Sequence, residues 1–154
     1  RITQILIRKE KSLEEIKEAA DKAINLIPDR AEPYLTIGRY LNSQRRCDLA
    51  YGYLRKGKAI SLEQAHSKYL LFVNKYGYGK YFNDELAVAC YWTERYEEGL
   101  KLINEIIDDP EFKIHRERLL DNINHFNKMK SNQPKKEEVA KEDNGVKDIF
   151  ATTV

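Results

Sequence analysis

Apolar residues recur every three or four positions along most of the chain, and the two-residue alternation of a half-buried strand is scarce. That pattern predicts helices near residues 2–9, 11–27, 31–43, 47–60, 62–75, 80–93, 96–108 and 111–129. Pro28 and Pro33 punctuate the second junction, and Pro33 is tolerated inside an opening helical turn. Asp108-Asp109-Pro110 closes the seventh helix. The last helix offers Ile114, Leu119, Ile123 and Phe126 as a buried face and is polar elsewhere, as the cap of an open helix stack needs to be. Only seven glycines and four prolines interrupt 154 residues, so the expected class is all-α.

A longer period underlies the helices. Counted from Ala31, Tyr34, Ile37, Gly38 and Leu41 fall at positions four, seven, eight and eleven, and Ala50, Leu54 and Gly57 at twenty, twenty-four and twenty-seven. Small residues at Gly38, Ala50 and Gly57 let two helix backbones approach, and the large ones fill the remaining space. This is the pattern of a tetratricopeptide unit of roughly 34 residues, with Leu62 in place of its final proline. One period earlier, Ile16, Ala20, Ala23 and Pro28 take the second-helix positions, leaving a shortened first helix near residues 2–7. One period later the register slips. Leu86 and Ala87 fit a first helix, and Tyr96, Gly99, Ile103 and Ile106 a second, with Gly99 standing 49 residues after Ala50. About fifteen residues are therefore inserted between units. The expected architecture is a tetratricopeptide-like antiparallel helix-pair solenoid with a C-terminal capping helix over residues 1–129, then a polar tail over 130–154. The tail is mixed in charge and poor in large apolar residues, which reads as a flexible linker. Its end, Ile149 to Val154, is apolar enough to dock, and Thr152 with Val154 fits a PDZ-ligand ending.

Charge narrows the partners. Twenty-seven basic and 25 acidic side chains leave a formal net charge of +2, which gives no case for bulk attraction to nucleic acid or a membrane surface. No apolar run approaches the roughly 18 residues of a membrane span. The chain opens on Arg1 with no signal-peptide pattern, which suggests a fragment of a longer polypeptide. Cys47 and Cys90 lie in no CxxC pair and fit a reducing, cytoplasmic setting.

The stretch NKYGYGKYFNDE, Asn74 to Glu85, looks at first like a phosphate-cradling loop. A Walker loop needs glycine five residues before its Gly-Lys pair and Ser or Thr after it; here Asn74 precedes and Tyr81 follows. The stretch reads instead as a hinge in the enlarged repeat, with Gly77 and Gly79 ending one helix. His66, His115 and His125 share no metal-ligand spacing with each other or with a cysteine. Acid pairs such as Glu14-Glu15, Glu97-Glu98 and Asp108-Asp109 diverge around their helices, whereas acid–base catalysis needs them to converge. No catalytic residue, metal site or cofactor is expected. The concave positions of the two clear first helices give a candidate binding groove of Arg39, Asn42, Tyr81, Asp84, Tyr91 and Trp92. Aromatic residues and arginine dominate binding hot spots. The alternative for Tyr91 and Trp92 is packing against the capping helix.

Arg30-Ala31-Glu32-Pro33-Tyr34, Leu49-Ala50-Tyr51, Asp84-Glu85-Leu86, then Tyr91 and Arg95-Tyr96-Glu97-Glu98-Gly99 occur in an order that resembles the tetratricopeptide-like segment behind the catalytic domain of some family-2-type glycosyltransferases. The resemblance covers roughly residues 15–126. That family's nucleotide-sugar domain has an α/β sheet and a DxD motif, and this chain offers neither, so no catalytic residue carries over. The resemblance implies a noncatalytic accessory module that holds a protein or peptide, a glycan acceptor or its own catalytic domain. A self-associating scaffold, as a homo-oligomer, and a free-standing adaptor are the alternatives.

Overall fold

The computed structural model describes residues 2–69 and 73–132, and over these the protein is all-α. The helices are α1 (Ile2–Arg8), α2 (Leu13–Leu26), α3 (Glu32–Ser43), α4 (Cys47–Lys58), α5 (Leu62–Lys68), α6 (Asn83–Trp92), α7 (Tyr96–Asn104) and α8 (Arg116–Asn132). Short 3₁₀ turns lie at Lys75–Gly77, Gly79–Phe82 and Pro110–His115.

Three of the connections are the same turn. Glu10, Arg45 and Glu94 have φ of 50°, 56° and 60°, the left-handed conformation that ends many helices. The following amide reaches back five residues each time: Lys11 to the Leu6 carbonyl at 3.2 Å, Arg46 to Leu41 at 2.9 Å and Arg95 to Cys90 at 2.8 Å. The left-handed residue's own amide reaches Ile7, Asn42 and Tyr91 in turn. These paired bonds satisfy carbonyls that a helix end leaves open, and they reverse the chain in a few residues. The first connection holds one extra residue, so that Ser12 caps α2 through a capping box with Glu15. The amides of Ile16, Ala50 and Gly99 then all bond the carbonyl of their own helix's capping residue, which fixes them as equivalent positions.

Packing follows from these hairpins. Gly38 faces Leu54 while Gly57 faces Tyr34, so α3 and α4 run antiparallel. A β-carbon on Gly38 would lie 2.4 Å from Leu54 Cδ2, and one on Gly57 2.5 Å from Tyr34 Cβ; no side chain larger than hydrogen fits at either crossing. In α6 and α7, Cys90 faces Gly99 while Asn83 bonds the Leu102 carbonyl, again antiparallel. Each second helix then packs on the next first helix: α2 on α3, α4 on α6, α7 on α8. One continuous core results, from Ile16 and Ala20 through Ile37, Leu54, Phe82, Leu86 and Ile103 to Leu119 and Phe126.

The inserted segment departs from expectation. α5 stops at Lys68, with Tyr69 already extended, instead of running to residue 75. The chain then folds back on the start of α3. Asn74 donates its amide to Glu32 at 3.1 Å, and Tyr78 donates its hydroxyl to the same carboxylate at 2.8 Å. Gly77 sits so close that a β-carbon there would be 2.6 Å from Glu32 Cγ. Gly79 (φ +55°) turns the chain into α6, so the segment is a clamp anchored on α3 as well as a bend.

The cap differs too. Pro110 opens a 3₁₀ turn capped by the Asp109 side chain, and only from Arg116 is the helix α. The tighter winding takes Ile114 off the buried face, and it is 86% exposed rather than part of the core. Leu119 and Phe126 are buried and Ile123 is partly so. α8 continues to Asn132, past the residue-129 boundary. The remaining tail, including the apolar end at Ile149 to Val154 and the PDZ-like ending, lies outside the described residues.

Candidate functional site

The six groove candidates fall into four arrangements. Arg39 and Asn42, one turn apart on α3, both engage Glu85 on α6. The Arg39 Nε donates to Glu85 Oε1 at 3.2 Å, and Asn42 Nδ2 donates to the Glu85 carbonyl at 2.9 Å and to Oε2 at 3.2 Å. Asn42 Oδ1 is buried without a hydrogen-bond partner. These bonds fasten neighbouring first helices to one another.

Asp84 performs the same task one step along. Arg118 on α8 grips it with two bonds, at 3.0 and 2.6 Å, the fork geometry that carboxylates favour. Tyr81 belongs to the inserted clamp. Its ring packs between Tyr76 and Phe112, with centroids 5.1 and 5.8 Å away, and its hydroxyl donates to Glu111. Lys80 bridges Asp109 and Glu111 at 2.6 Å each. Hydrogen bonds from Lys80 and then Tyr81 pull the Glu111 carboxyl down to about 2. Burial, then the Glu111 bond, pushes the Tyr81 phenol up to about 12. These groups are locked to one another and hold the clamp shut; a ligand would have to break them.

Tyr91 and Trp92 come together as a surface. Their rings meet edge to face at 5.4 Å, and Tyr91 meets Phe126 of α8 in the same way at 5.4 Å. Tyr91 packs on the capping helix, whereas Trp92 remains 63% exposed. Between α6 and α8 lies a slot of about 320 Å³ lined by Ala87, Val88, Tyr91, Trp92, Asn122, His125 and Phe126. His125 Nδ1 lies 2.8 Å from the Asp121 carbonyl, an acceptor only, so Nδ1 is the donor in that bond. A second hollow shares Trp92 with Arg45, Cys47, Asp48 and Thr93. The indole thus forms the ridge between two depressions. This is the one place where the candidate residues present an aromatic face to solvent beside apolar walls and polar rims.

Sequence reasoning missed Glu85, Arg118, Asn122 and His125. A signal was present: Arg118 stands 34 residues after Asp84, and His125 stands 34 after Tyr91, the same interval used to align the helix pairs in the sequence.

The remaining reactive side chains have structural settings. Burial pushes the Cys90 thiol up to about 12, which keeps it protonated and a poor nucleophile. Among the described residues no group of three or more His, Cys, Asp or Glu could hold a metal ion, and no helix is long and apolar enough to cross a membrane. No family model, curated protein or solved structure matches this chain.

Proposed function

We propose that the protein is a noncatalytic interaction module of tetratricopeptide-like helix pairs, which recognises a protein or peptide through the slot at Tyr91 and Trp92. The observation that carries this reading is the indole of Trp92, 63% exposed and standing between two hollows at the end of α6. An indole fixed on a helix end loses little entropy on binding and offers a large contact area. The three left-handed turns with the same paired bonds and the equivalence of Ile16, Ala50 and Gly99 support the repeat reading. A role accessory to a glycosyltransferase, with a glycan acceptor or the catalytic domain as the bound partner, rests on the sequence resemblance described above.

The test is a peptide-display selection on the full chain, with Trp92→Ala as the counter-target. Enriched peptides should bind the wild type at least tenfold more tightly than the variant. Peptides that bind both equally would place recognition elsewhere, and the slot would lose its role. A glycan array probed with the same two proteins separates an acceptor from a peptide.

Self-association is the second reading. It is favoured by Ile2 and Ile5 on α1 and Leu26 at the end of α2, which are 71, 50 and 81% exposed. Light scattering over a hundredfold range of concentration tests it, and a constant monomer mass removes it.

A further inference from the structure

A hollow of about 600 Å³ lies where α1, the end of α2, the start of α3 and the inserted clamp meet. It shares no lining residue with the Trp92 slot. Its volume falls within the roughly 300–1,000 Å³ of small-molecule sites. Ala23, Leu26, Ile27 and Pro33 give it apolar walls, and Thr3, Gln4 and Asn74 bring polar groups from α1 and the clamp. Thr3 is only 5% exposed, yet among the described residues its hydroxyl has no hydrogen-bond partner. Among those residues Asn42 Oδ1 is the one side-chain polar atom both sealed from solvent and unbonded, so the Thr3 hydroxyl keeps an opening, and the hollow is what it opens on. A buried hydroxyl without a bond costs free energy that a bond from outside the chain recovers. The side-chain amide of Gln4 and the side-chain nitrogen of Asn74 are also unpartnered among the described residues. The charges of the lining are already engaged: Arg30 holds Glu32 at 2.6 and 3.1 Å.

From this lining we propose that the hollow binds an uncharged amphipathic small molecule, with its apolar part against Leu26 and Ile27 and a hydroxyl or carboxamide head on Thr3, Gln4 and Asn74. The distribution of charge decides the class. A charged head would enter a site whose one cation and one anion already satisfy each other, and an unpaired charge taken out of water is costly. A neutral hydroxyl or amide both donates and accepts, which matches the hydroxyl of Thr3 and the amide of Gln4. Leu26 and Ile27 are 81 and 37% exposed, and covering them supplies the hydrophobic part of the affinity. Occupancy is tied to the clamp. Asn74 donates its backbone amide to Glu32 at 3.1 Å, so its side chain lines the hollow only while the clamp is closed on α3. A ligand that needs the closed clamp also stabilises it, by linkage. The proposal does not depend on the Trp92 slot being a binding site.

The test titrates amphiphiles of one chain length into the full chain and follows them by ligand-observed NMR. Octanamide and octyl glucoside are the neutral probes; octanoate and octylammonium are the charged ones. At least one neutral probe should bind saturably, and about tenfold more tightly than either charged probe. Thr3→Val keeps the shape of the side chain and deletes the hydroxyl, and Leu26→Ser removes apolar wall at an exposed position. Each should weaken neutral binding about fivefold, with helicity unchanged by circular dichroism. Tyr78→Phe, which loosens the clamp, should weaken it as well, and Trp92→Ala should leave it unchanged. Absence of saturation up to about 10 mM overturns the proposal. Charged probes that bind as tightly as neutral ones overturn the class of ligand. Binding that survives both Thr3→Val and Leu26→Ser lies elsewhere and overturns the site, and equal affinity in Tyr78→Phe overturns the link to the clamp. Failure of the Trp92 slot reads out separately, because peptides selected against Trp92 are tested on a protein in which this hollow is intact.

Discussion

Tyr78 donates its phenol to the carboxylate of Glu32 at 2.8 Å, joining two positions 46 residues apart in the chain. Around this bond the inserted segment is closed onto the first turn of α3. Arg30 holds the same carboxylate at 2.6 and 3.1 Å, and the Asn74 amide completes its set of donors. Burial alone would raise the pKa of Glu32, but Arg30, its backbone and Tyr78 outweigh it and leave the group below its ordinary value. Burial and then Glu32 push the Tyr78 phenol up to about 12.

Breaking this closure should loosen the insertion. Tyr78→Phe keeps the buried ring and deletes the bond, for a loss of about 1–2 kcal/mol. Gly77→Ala drives a methyl against Glu32 Cγ and should cost at least as much. Urea unfolding reads both as lower midpoints at an unchanged slope. If both variants match the wild type within about 0.3 kcal/mol, the insertion is not held by this contact.

Acid should release the second anchor of the insertion. Glu111 titrates near 2 when folded against an ordinary value of 4.5, and Asp109 is lowered by its bond to Lys80. Such carboxylates bind protons more weakly in the folded state than in the unfolded one. Their contribution is complete above 4.5 and is lost as the pH falls from there towards 2. The melting temperature should therefore decline across that window, and Glu111→Gln should make the decline shallower. An equal slope in wild type and variant would mean that other carboxylates govern acid unfolding.

The three hairpin turns place Glu10, Arg45 and Glu94 in a conformation that costs a residue with a β-carbon about 1–2 kcal/mol. Glycine removes that strain but loses more entropy on folding, roughly 0.5–1 kcal/mol. Glu94→Gly should consequently stabilise the protein by about 0.5–1 kcal/mol, and Arg45→Gly by a similar amount. Thermal unfolding of the two single variants and the double variant checks this, with near-additive effects because the turns are separate. Destabilisation by either glycine would show that the side chain it removes contributes more than the turn strain.

The hairpins were legible because each depends on residues near one another in sequence. Small residues at Gly38, Gly57 and Gly99 mark helix crossings, and they stood out in the sequence for the same reason. The insertion was not legible, since the carboxylate at position 32 that holds it is one that no local pattern connects to Asn74 or Tyr78. Ile114 misled for a related reason: its spacing suits an α-helix, but Pro110 and the Asp109 cap impose a 3₁₀ turn there. Among the groove residues, helical spacing put Arg39, Asn42 and Asp84 on a concave groove; in the fold Arg39 and Asn42 bond Glu85 and Asp84 bonds Arg118. Spacing could not show that Glu85 and Arg118 already engage them.

Tyr91 and Trp92 touch one another and line one slot but differ in what else they touch. Tyr91 contacts Trp92, Tyr96 and Phe126, and Phe126 in turn fills the space opposite Gly99. Tyr91→Ala removes a ring from this aromatic cluster and should cost about 2–3 kcal/mol with partial loosening of α8. Trp92, 63% exposed, has little to lose, and Trp92→Ala should stay within about 0.5 kcal/mol of the wild type while abolishing slot-dependent peptide binding. Calorimetric unfolding and peptide titration of the two single variants decide between the roles. A Trp92→Ala protein that unfolds as early as Tyr91→Ala would make the indole part of the core, and the slot would then be a packing seam between α6 and α8. A Trp92→Ala protein of normal stability that still binds would leave the indole as surface without function.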